Sequence, residues 1–390
     1  MTVLNRIEAT LPSDWYYDGQ HYQHELEAIW YRDWVCVGRI EEFARPGDYR
    51  VAVIGNQSLF VTRDRQGALR AFHNTCRHRG SALCASAQGH FANGRIVCPY
   101  HTWTYSLGGD LVATPARLET DDFVPQDFSL YGIHVDTWGG FVFVNLSEQP
   151  AETLAAFLGS EADEVANWPL AGMVSVHRET TTIACNWKVF WENYSECYHC
   201  PRLHPELCRI VPLYKQGVLN YADVQDGSAD ADGGQPHVGP GLTTWTLDGA
   251  SALPPIEGPN DTERARGMTF ASFTASMFIV AHPDYVRSVR IYPRGPESTE
   301  LVVDWLLPPE IRDSHTDAME PVLELGRLVI KQDGRACELN QQGLKSRRHD
   351  HGVLMPQEYS VWEFHEWLRE RLAAANVVSG RDAVAAMPRL

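Results

Sequence analysis

Two short segments each set a thiol beside an imidazole: Cys76-Arg77-His78 and Cys98-Pro99-Tyr100-His101. Two thiolates and two imidazoles are the ligand set of a two-iron, two-sulfide cluster in which histidines replace cysteines on one iron and raise its reduction potential. The same donors suit tetrahedral zinc. A zinc finger pairs Cys with Cys and His with His, whereas here each segment carries one of each. A second group of potential ligands runs from Glu192 through Glu196 and His199 to His204. Glu192, Glu196 and His199 stand at i, i+4 and i+7, which puts them on one face of a helix. Pro201 cannot continue that helix without losing a hydrogen bond and clashing. The helix is therefore predicted to end near Cys200, with His204 delivered by the turn that follows. Two imidazoles presented this way can converge on one ion. A carboxylate would complete the two-His, one-carboxylate set that leaves open positions for O₂ on ferrous iron.

The segments Cys-Arg-His-Arg-Gly (Cys76 to Gly80) and Cys-Pro-Tyr-His-Thr-Trp (Cys98 to Trp103) closely resemble those of Rieske proteins. With the downstream cluster, the chain resembles, through most of its length, the catalytic large subunit of the Rieske non-haem iron oxygenases, also called ring-hydroxylating oxygenases. The resemblance implies a [2Fe–2S] cluster on Cys76, His78, Cys98 and His101, the thiolates on the buried iron and the imidazoles on the outer one. It implies Fe(II) on His199, His204 and an acid from a late helix. In the family that acid lies five residues before a Glu and shortly before Gln-x-Gly. Asp333 precedes Glu338 by five, and Gln342-Gly343-Leu344 follows. Asp333 is therefore the implied third ligand, with Glu338 and Asp350 as rivals.

The family also carries an acid at the position of Glu196, where it bridges a cluster histidine of one subunit to an iron histidine of the next. By resemblance, a neighbour's His101 would meet Glu196, which in turn holds His199, and the active form would be a homotrimer or larger ring. Most ring dioxygenases have Asp there. Glu resembles the subgroup acting on quaternary ammonium compounds such as carnitine, stachydrine and glycine betaine. The implied activity is that of a terminal oxygenase component. It would use O₂ and two electrons, supplied by an NAD(P)H-dependent reductase or a ferredoxin, to hydroxylate or N-demethylate a small organic substrate. Competing readings are an aromatic-ring mono- or dioxygenase of aromatic catabolism, an O-demethylase, and a Rieske electron-transfer protein. Chain length and the His199/His204 pair speak against the last.

The elements that must position these groups follow from pattern. Tyr49 to Val61 alternates in strand fashion around a Gly55-Asn56 turn, and Leu69–Phe72, Gly94–Cys98, Trp103–Ser106 and Gly139–Asn145 continue a series of short strands. Gly108-Gly109-Asp110 reads as a hairpin turn. His24–Trp34 and Glu152–Ala166 read as helical. Val174–Ile183, Phe270–Val280, Tyr285–Pro293 and Thr299–Leu307 read as strands, Ser314–Lys345 as a long helix and Trp362–Leu372 as a terminal amphipathic helix. Asn186 is a plausible N-cap for the ligand helix. Gln225–Gly241, rich in Gly, Asp and Pro, reads as a loop. The fold class is α+β. Residues 37–150 form an N-terminal all-β Rieske domain. Residues 1–36 and 151–390 form a catalytic domain, for which the resemblance implies a helix-grip fold: an antiparallel sheet around one long helix.

The 390 residues are long enough for two domains, and 44% hydrophobic with 21% charged residues is ordinary globular composition. A net charge of −17 argues against nucleic acid or an anionic membrane as partner. It also favours drawing in a cationic ligand. No apolar run approaches the roughly 20 residues that span a bilayer, and the first residues lack a secretory pattern, so the expectation is cytoplasmic. Seven of the nine cysteines are not assigned to the cluster, and all seven read as reduced thiols, Cys197 and Cys200 included. Arg77 and Arg79 suit either partner docking or internal pairing. His349-Asp350-His351 reads as a solvated loop.

Overall fold

The computed structural model describes residues 3–224, 234–315 and 318–382. Part of the Gly- and Asp-rich loop, residues 225–233, lies outside the described residues. The chain divides into two compact units, Trp30–Gly159 and a second made of Met1–Ile29 with Ser160–Leu390. The first unit begins ahead of Val35–Arg39 because that strand pairs with Phe141–Asn145. It runs past residue 150 because Trp34 Nε1 donates to the Glu152 carbonyl at 3.1 Å.

The first unit is built on two antiparallel sheets. The larger has the spatial order 35–39, 141–145, 132–138, 69–73, 57–63, 48–54, 88–90, and the smaller is 95–97, 104–106, 111–113. Both predicted hairpins are present: Gly55-Asn56 joins Asp48–Ile54 to Gln57–Arg63, and Gly108–Asp110 joins Thr104–Ser106 to Leu111–Ala113. Gly109 takes φ +95 where a Cβ would collide with the ring of Phe72, so a side chain is excluded there on both counts. The core gathers Phe60, Phe72, Ile96, Tyr105 and Leu107 and includes Cys76 and Cys98. Both thiols are thus fixed by the packing that stabilises the unit.

The second unit has a five-stranded antiparallel sheet in the order Val174–Ile183, Ser298–Leu307, Val286–Gly295, Met277–Ala281, Thr269–Phe273. The helix Met319–Leu344 lies against it, at the distance its glycines allow. At Gly334 a Cβ would meet Ile183 at 3.4 Å, and at Gly326 it would meet Arg287 Nη1 at 2.7 Å. A long helix held by an antiparallel sheet is the expected architecture. Several boundaries differ, and two of them have a local reason. The expected strand Phe270–Val280 is a hairpin turning through Thr274, Ala275 and Ser276 between Phe273 and Met277; this short turn has no glycine, proline, asparagine or aspartate to mark it. The long helix starts at Met319 rather than Ser314. The short helix Pro309–Ser314 ends where Ser314 Oγ folds back on the Glu310 carbonyl at 2.6 Å, a bond that competes with helix continuation.

The ligand helix, Trp187–Tyr194, is anchored at its start. Asn186 caps it, its side chain accepting from Lys188 N at 3.0 Å, and Asn186 N donates to Gln341 Oε1 of the long helix at 2.9 Å. Lys188 is fully buried, and its Nζ meets Glu25 Oε1 at 2.5 Å, the Trp15 carbonyl at 2.9 Å and Asn186 Oδ1 at 2.9 Å. Trp187 Nε1 donates to the other Glu25 oxygen at 2.8 Å. Burial opposes the charge on Glu25, but Lys188 and His21 overcome it and hold the carboxyl below its usual range. A buried pair broken on one side strands a charge, at a cost of about 3–5 kcal/mol. Glu25→Gln should therefore lower the stability of the second unit by about 3 kcal/mol or more, read by denaturant titration. Glu25→Leu combined with Lys188→Met should recover a large part of that loss.

Candidate metal centres and the active-site cavity

Two loops of the first unit share one backbone construction. Cys76 N donates to the Ser81 carbonyl and Gly80 N to the Cys76 carbonyl, at 2.8 and 2.9 Å. Cys98 N donates to the Trp103 carbonyl and Thr102 N to the Cys98 carbonyl, at 2.8 and 3.1 Å. In each loop the fourth residue after the cysteine has positive φ, Gly80 at +74 and Thr102 at +58. For Thr102 that conformation is strained. The construction buries each cysteine at the loop base and carries its histidine outward: Cys76 and Cys98 are 3% and 1% exposed, and the rings of His78 and His101 lie 4.6 Å apart toward solvent. Trp103 stacks on His78 at 4.8 Å. The Tyr105 hydroxyl lies 3.2 Å from Cys76 Sγ, and Arg77 N donates to the same hydroxyl at 3.1 Å. Burial pushes the Cys76 thiol up, and the Tyr105 hydrogen bond opposes that rise. Two buried sulfurs behind two outward imidazoles fit a cluster with one iron deep and one near solvent. Arg77 is turned inward, donating to the Ser129 and Asp127 carbonyls at 2.5 and 2.9 Å and lying over the Tyr131 ring.

The second group of ligands lies in the other unit. Its helix ends at Tyr194, earlier than the spacing predicts, with Ser195 N donating to the Trp191 and Glu192 carbonyls. Glu196 then closes a turn, accepting from Tyr198 N and from His199 N. The short helices Cys200–Leu203 and Pro205–Ile210 follow, with Pro201 and Pro205 in their first turns, where the missing N–H costs nothing. Glu192, expected on the same face, accepts instead from Tyr16 Oη and His365 Nε2, at 2.7 and 2.9 Å. The turn also brings Cys197 and Cys200 to a Cα separation of 5.0 Å as a disulfide, which corrects the reading of both as free thiols.

His199 Nε2, His204 Nε2 and Asp333 Oδ1 face one point, their ligand atoms all within 4.8 Å of one another. The other nitrogen of each ring is committed elsewhere. His199 Nδ1 donates to Glu196 Oε1 at 2.5 Å and His204 Nδ1 to Gln332 Oε1 at 2.8 Å, leaving both Nε2 atoms free to ligate. Burial alone would lower the His199 pKa, but Asp333 and Glu196 push it up to about 9. Burial would raise Asp333, and the two histidines bring it below the usual carboxylate range. Two imidazoles and one carboxylate on a buried point fit a divalent cation of the Fe(II) type. Glu338 and Asp350, the rival acids, are not part of this group. Sequence reasoning missed Gln332, for which neighbouring Asp333 on the helix was the available clue.

The group lines a cavity of about 690 Å³ within the second unit, walled by Trp191, Tyr194, Trp245, Phe270 and Phe278 among others. Tyr194 stacks on Phe278 with centroids 3.7 Å apart, and its hydroxyl is fixed by Ser272 Oγ at 2.8 Å. Arg287 and Val289 reach the cavity from strand Val286–Gly295. No helix among the described residues is long and apolar enough to cross a membrane.

Comparison with known proteins agrees with both halves of this description. Residues 170–374 match the family of the ring hydroxylating alpha subunit catalytic domain, and residues 33–125 match the Rieske [2Fe-2S] domain. The chain is 29% identical over 371 residues to choline monooxygenase of Spinacia oleracea, covering 93% of this chain and 78% of that protein. It is also 29% identical over 393 residues to the glycine betaine monooxygenase oxygenase subunit of Pseudomonas aeruginosa, covering 93% and 89%. The fold matches the quaternary ammonium Rieske monooxygenase CntA with bound L-carnitine, with TM-score 0.71, 24% identity and coverage of 94% and 96%. It matches naphthalene 1,2-dioxygenase from Rhodococcus with TM-score 0.72, 20% identity and coverage of 93% and 94%. The geometry makes a direct demand on the metal: Asp333→Ala should remove one tightly bound iron per chain and turnover with it, yet leave the visible spectrum of the cluster intact. Elemental analysis beside absorbance checks both, and Asp350→Ala should leave the iron in place.

Proposed function

The chain belongs to the Rieske ring-hydroxylating oxygenase family, and from that premise we propose that it is the terminal oxygenase for a small quaternary ammonium compound. As a family member it is an iron-dependent oxygenase with a [2Fe–2S] cluster, taking a small molecule, O₂ and electrons from a partner. The roles of individual residues are our assignment. Cys76, His78, Cys98 and His101 would hold the cluster, and His199, His204 and Asp333 would hold Fe(II). When bound, the two groups would supply one-electron transfer and O₂ activation beside the substrate. The single observation that carries the assignment is the convergence of those three side chains on one point at the wall of an aromatic cavity.

The chain's own groups prepare that site. Glu196 and Gln332 fix the ring orientations of His199 and His204, so that both Nε2 atoms present lone pairs inward. Glu196 occupies the place from which electrons would arrive, through His101 of a neighbouring subunit in a homotrimer. Exposed aromatics beside both centres support this: Tyr100 next to His101 and Tyr198 next to His199 are 58% and 53% exposed, as surfaces covered by another copy would be. An outer face of the stacked Tyr194–Phe278 pair would supply a surface for a trimethylammonium group, and a desolvated cation over such a face gains about 2 kcal/mol. The resemblance to choline and glycine betaine monooxygenases supports the substrate class.

Glu196→Gln should leave both metals bound but interrupt the passage of electrons. The cluster would then be reduced and stay reduced under substrate and O₂, which stopped-flow absorbance reads directly. A monomer with full activity would sink the inter-subunit route. Where the attacked carbon is an N-methyl, hydroxylation gives a carbinolamine that releases formaldehyde and a proton. One formaldehyde should appear per methyl removed, with two electrons and one O₂ consumed. A panel of betaines yielding no oxidised product, alongside an arene yielding a hydroxylated ring, would overturn the substrate class and leave the oxygenase standing.

A further inference from the structure

Among the described residues Arg287 has no ion-pair partner. It is 5% exposed, on the wall of the cavity that holds His199, His204 and Asp333. Among the described residues no carboxylate oxygen lies within salt-bridge distance of its guanidinium, and its Nε is buried without a hydrogen-bond partner. Its strand neighbour shows the ordinary solution: Arg290, 3% exposed and projecting to the opposite face, meets Asp304 at 2.5 Å. A second unsatisfied donor stands close by. The guanidinium carbon of Arg287 is 5.8 Å from the Trp245 ring centroid, and Trp245 Nε1 is likewise buried without a partner.

Such an arrangement is expensive, since burying a charge costs several kcal/mol unless it is paired. The fold nevertheless makes room for it. The long helix carries Gly326 where a Cβ would sit 2.7 Å from Arg287 Nη1 and 3.2 Å from the Trp305 ring. Asp333 is near enough to favour the charge on Arg287, but its Oδ1 is taken by His199 and His204. With a divalent cation on that group, its charge is spent there. Tyr194, Tyr285 and His282 also face this corner: burial raises both tyrosines, and His282 is pushed down to about 3 by burial and by Arg287. Glu161, Glu164, Glu196 and Glu363 line the same cavity, with no ion pair to Arg287 among the described residues.

We infer that Arg287 is the anchor for a substrate carboxylate, so that the cavity selects a zwitterionic betaine over a purely cationic choline. This rests on the quaternary ammonium reading and sharpens it. A guanidinium and a carboxylate pair as two parallel hydrogen bonds, which fixes orientation as well as contributing affinity. The carboxylate held at Arg287 leaves the ammonium end to an outer face of the stacked Tyr194–Phe278 pair. A choline hydroxyl supplies no charge to Arg287, and its own cation is repelled by an uncompensated guanidinium.

The test is calorimetric binding of glycine betaine, L-carnitine and choline to the oxidised, iron-loaded enzyme without reductant. Iron content and cluster absorbance confirm that each variant is intact. The zwitterions should bind at least about tenfold more tightly than choline, a step of about 1.4 kcal/mol. Arg287→Gln should erase that margin while leaving choline unchanged or tighter, and Arg287→Lys should keep part of it. Gly326→Ala, which displaces the guanidinium without removing its charge, should weaken the zwitterions and spare choline. Choline binding as tightly as glycine betaine in the native enzyme would overturn the inference, as would an intact Arg287→Gln that keeps the margin. If no quaternary ammonium compound binds but benzoate binds in an Arg287-dependent way, the carboxylate anchor stands and the substrate class proposed above falls. If neither the betaines nor benzoate depends on Arg287, the anchor falls.

Discussion

Three lone-pair donors crowded into one buried place set the terms for the second unit. His199 Nε2, His204 Nε2 and Asp333 Oδ1 lie within 4.8 Å of one another, a separation no unassisted chain would keep, because each donor loses its water on burial. Their compensation is mutual and comes from the surrounding shell, with Glu196 and Gln332 behind the two rings. Convergence also requires two helices to hold a fixed relation. Gln341 of the long helix accepts from Asn186 at the start of the ligand helix, and its Nε2 donates to the Tyr16 carbonyl at 2.9 Å. The buried Lys188–Glu25 pair ties the same point to the N-terminal segment. Gly334, adjacent to Asp333, lets the long helix approach Ile183.

The first unit meets a related demand by repetition. Its two ligand loops are the same hydrogen-bonded turn used twice, each offering a buried sulfur and an outward ring. One loop meets the positive φ with Gly80 and the other with Thr102. A β-branched residue in that conformation persists only where its surroundings over-determine it, here the Cys98–Trp103 pairing and the smaller sheet on either side. Strain at Thr102 is thus part of how His101 is aimed.

The chemistry-bearing residues were legible because their types are rare in combination: Cys–His pairs, then two histidines around a proline. Asp333 was legible through its family motif alone, since an acid on a long helix is ordinarily solvated. What sequence missed were matters of local competition. Glu192, Glu196 and His199 have helical spacing, yet Glu196 caps a turn instead, because a side-chain acceptor two or three residues from free amides competes with the helix. The strand Phe270–Val280 concealed a hairpin because its turn, Thr274-Ala275-Ser276, carries no glycine, proline, asparagine or aspartate to mark it. The compact units extend beyond residues 37 and 150 through a backbone pairing and one indole hydrogen bond, neither of which leaves a compositional mark. Arg287 was invisible for the same kind of reason. In Val286-Arg287-Ser288-Val289-Arg290 nothing tells which arginine faces Asp304 and which faces an open cavity.

That last distinction changes how the charge of the chain should be used. A net charge of −17 suggests that a cation would be drawn in, and over the outer surface it would be. Exposed charges are screened within about 8 Å at physiological salt, however, whereas a buried charge is screened far less. At the cavity wall Arg287 is a guanidinium in low dielectric without an ion-pair partner among the described residues, so close to it the acidic outer surface counts for little, although Glu161, Glu164, Glu196 and Glu363 line other parts of the same cavity. The cavity therefore offers a cationic corner at Arg287, aromatic faces at Tyr194 and Phe278, and donors for a divalent cation at His199, His204 and Asp333. A ligand with separated opposite charges complements the first two at once and leaves the third for the metal. On the proposed reading, selectivity among quaternary ammonium compounds would reside in one strand position and in the glycine that makes room for it.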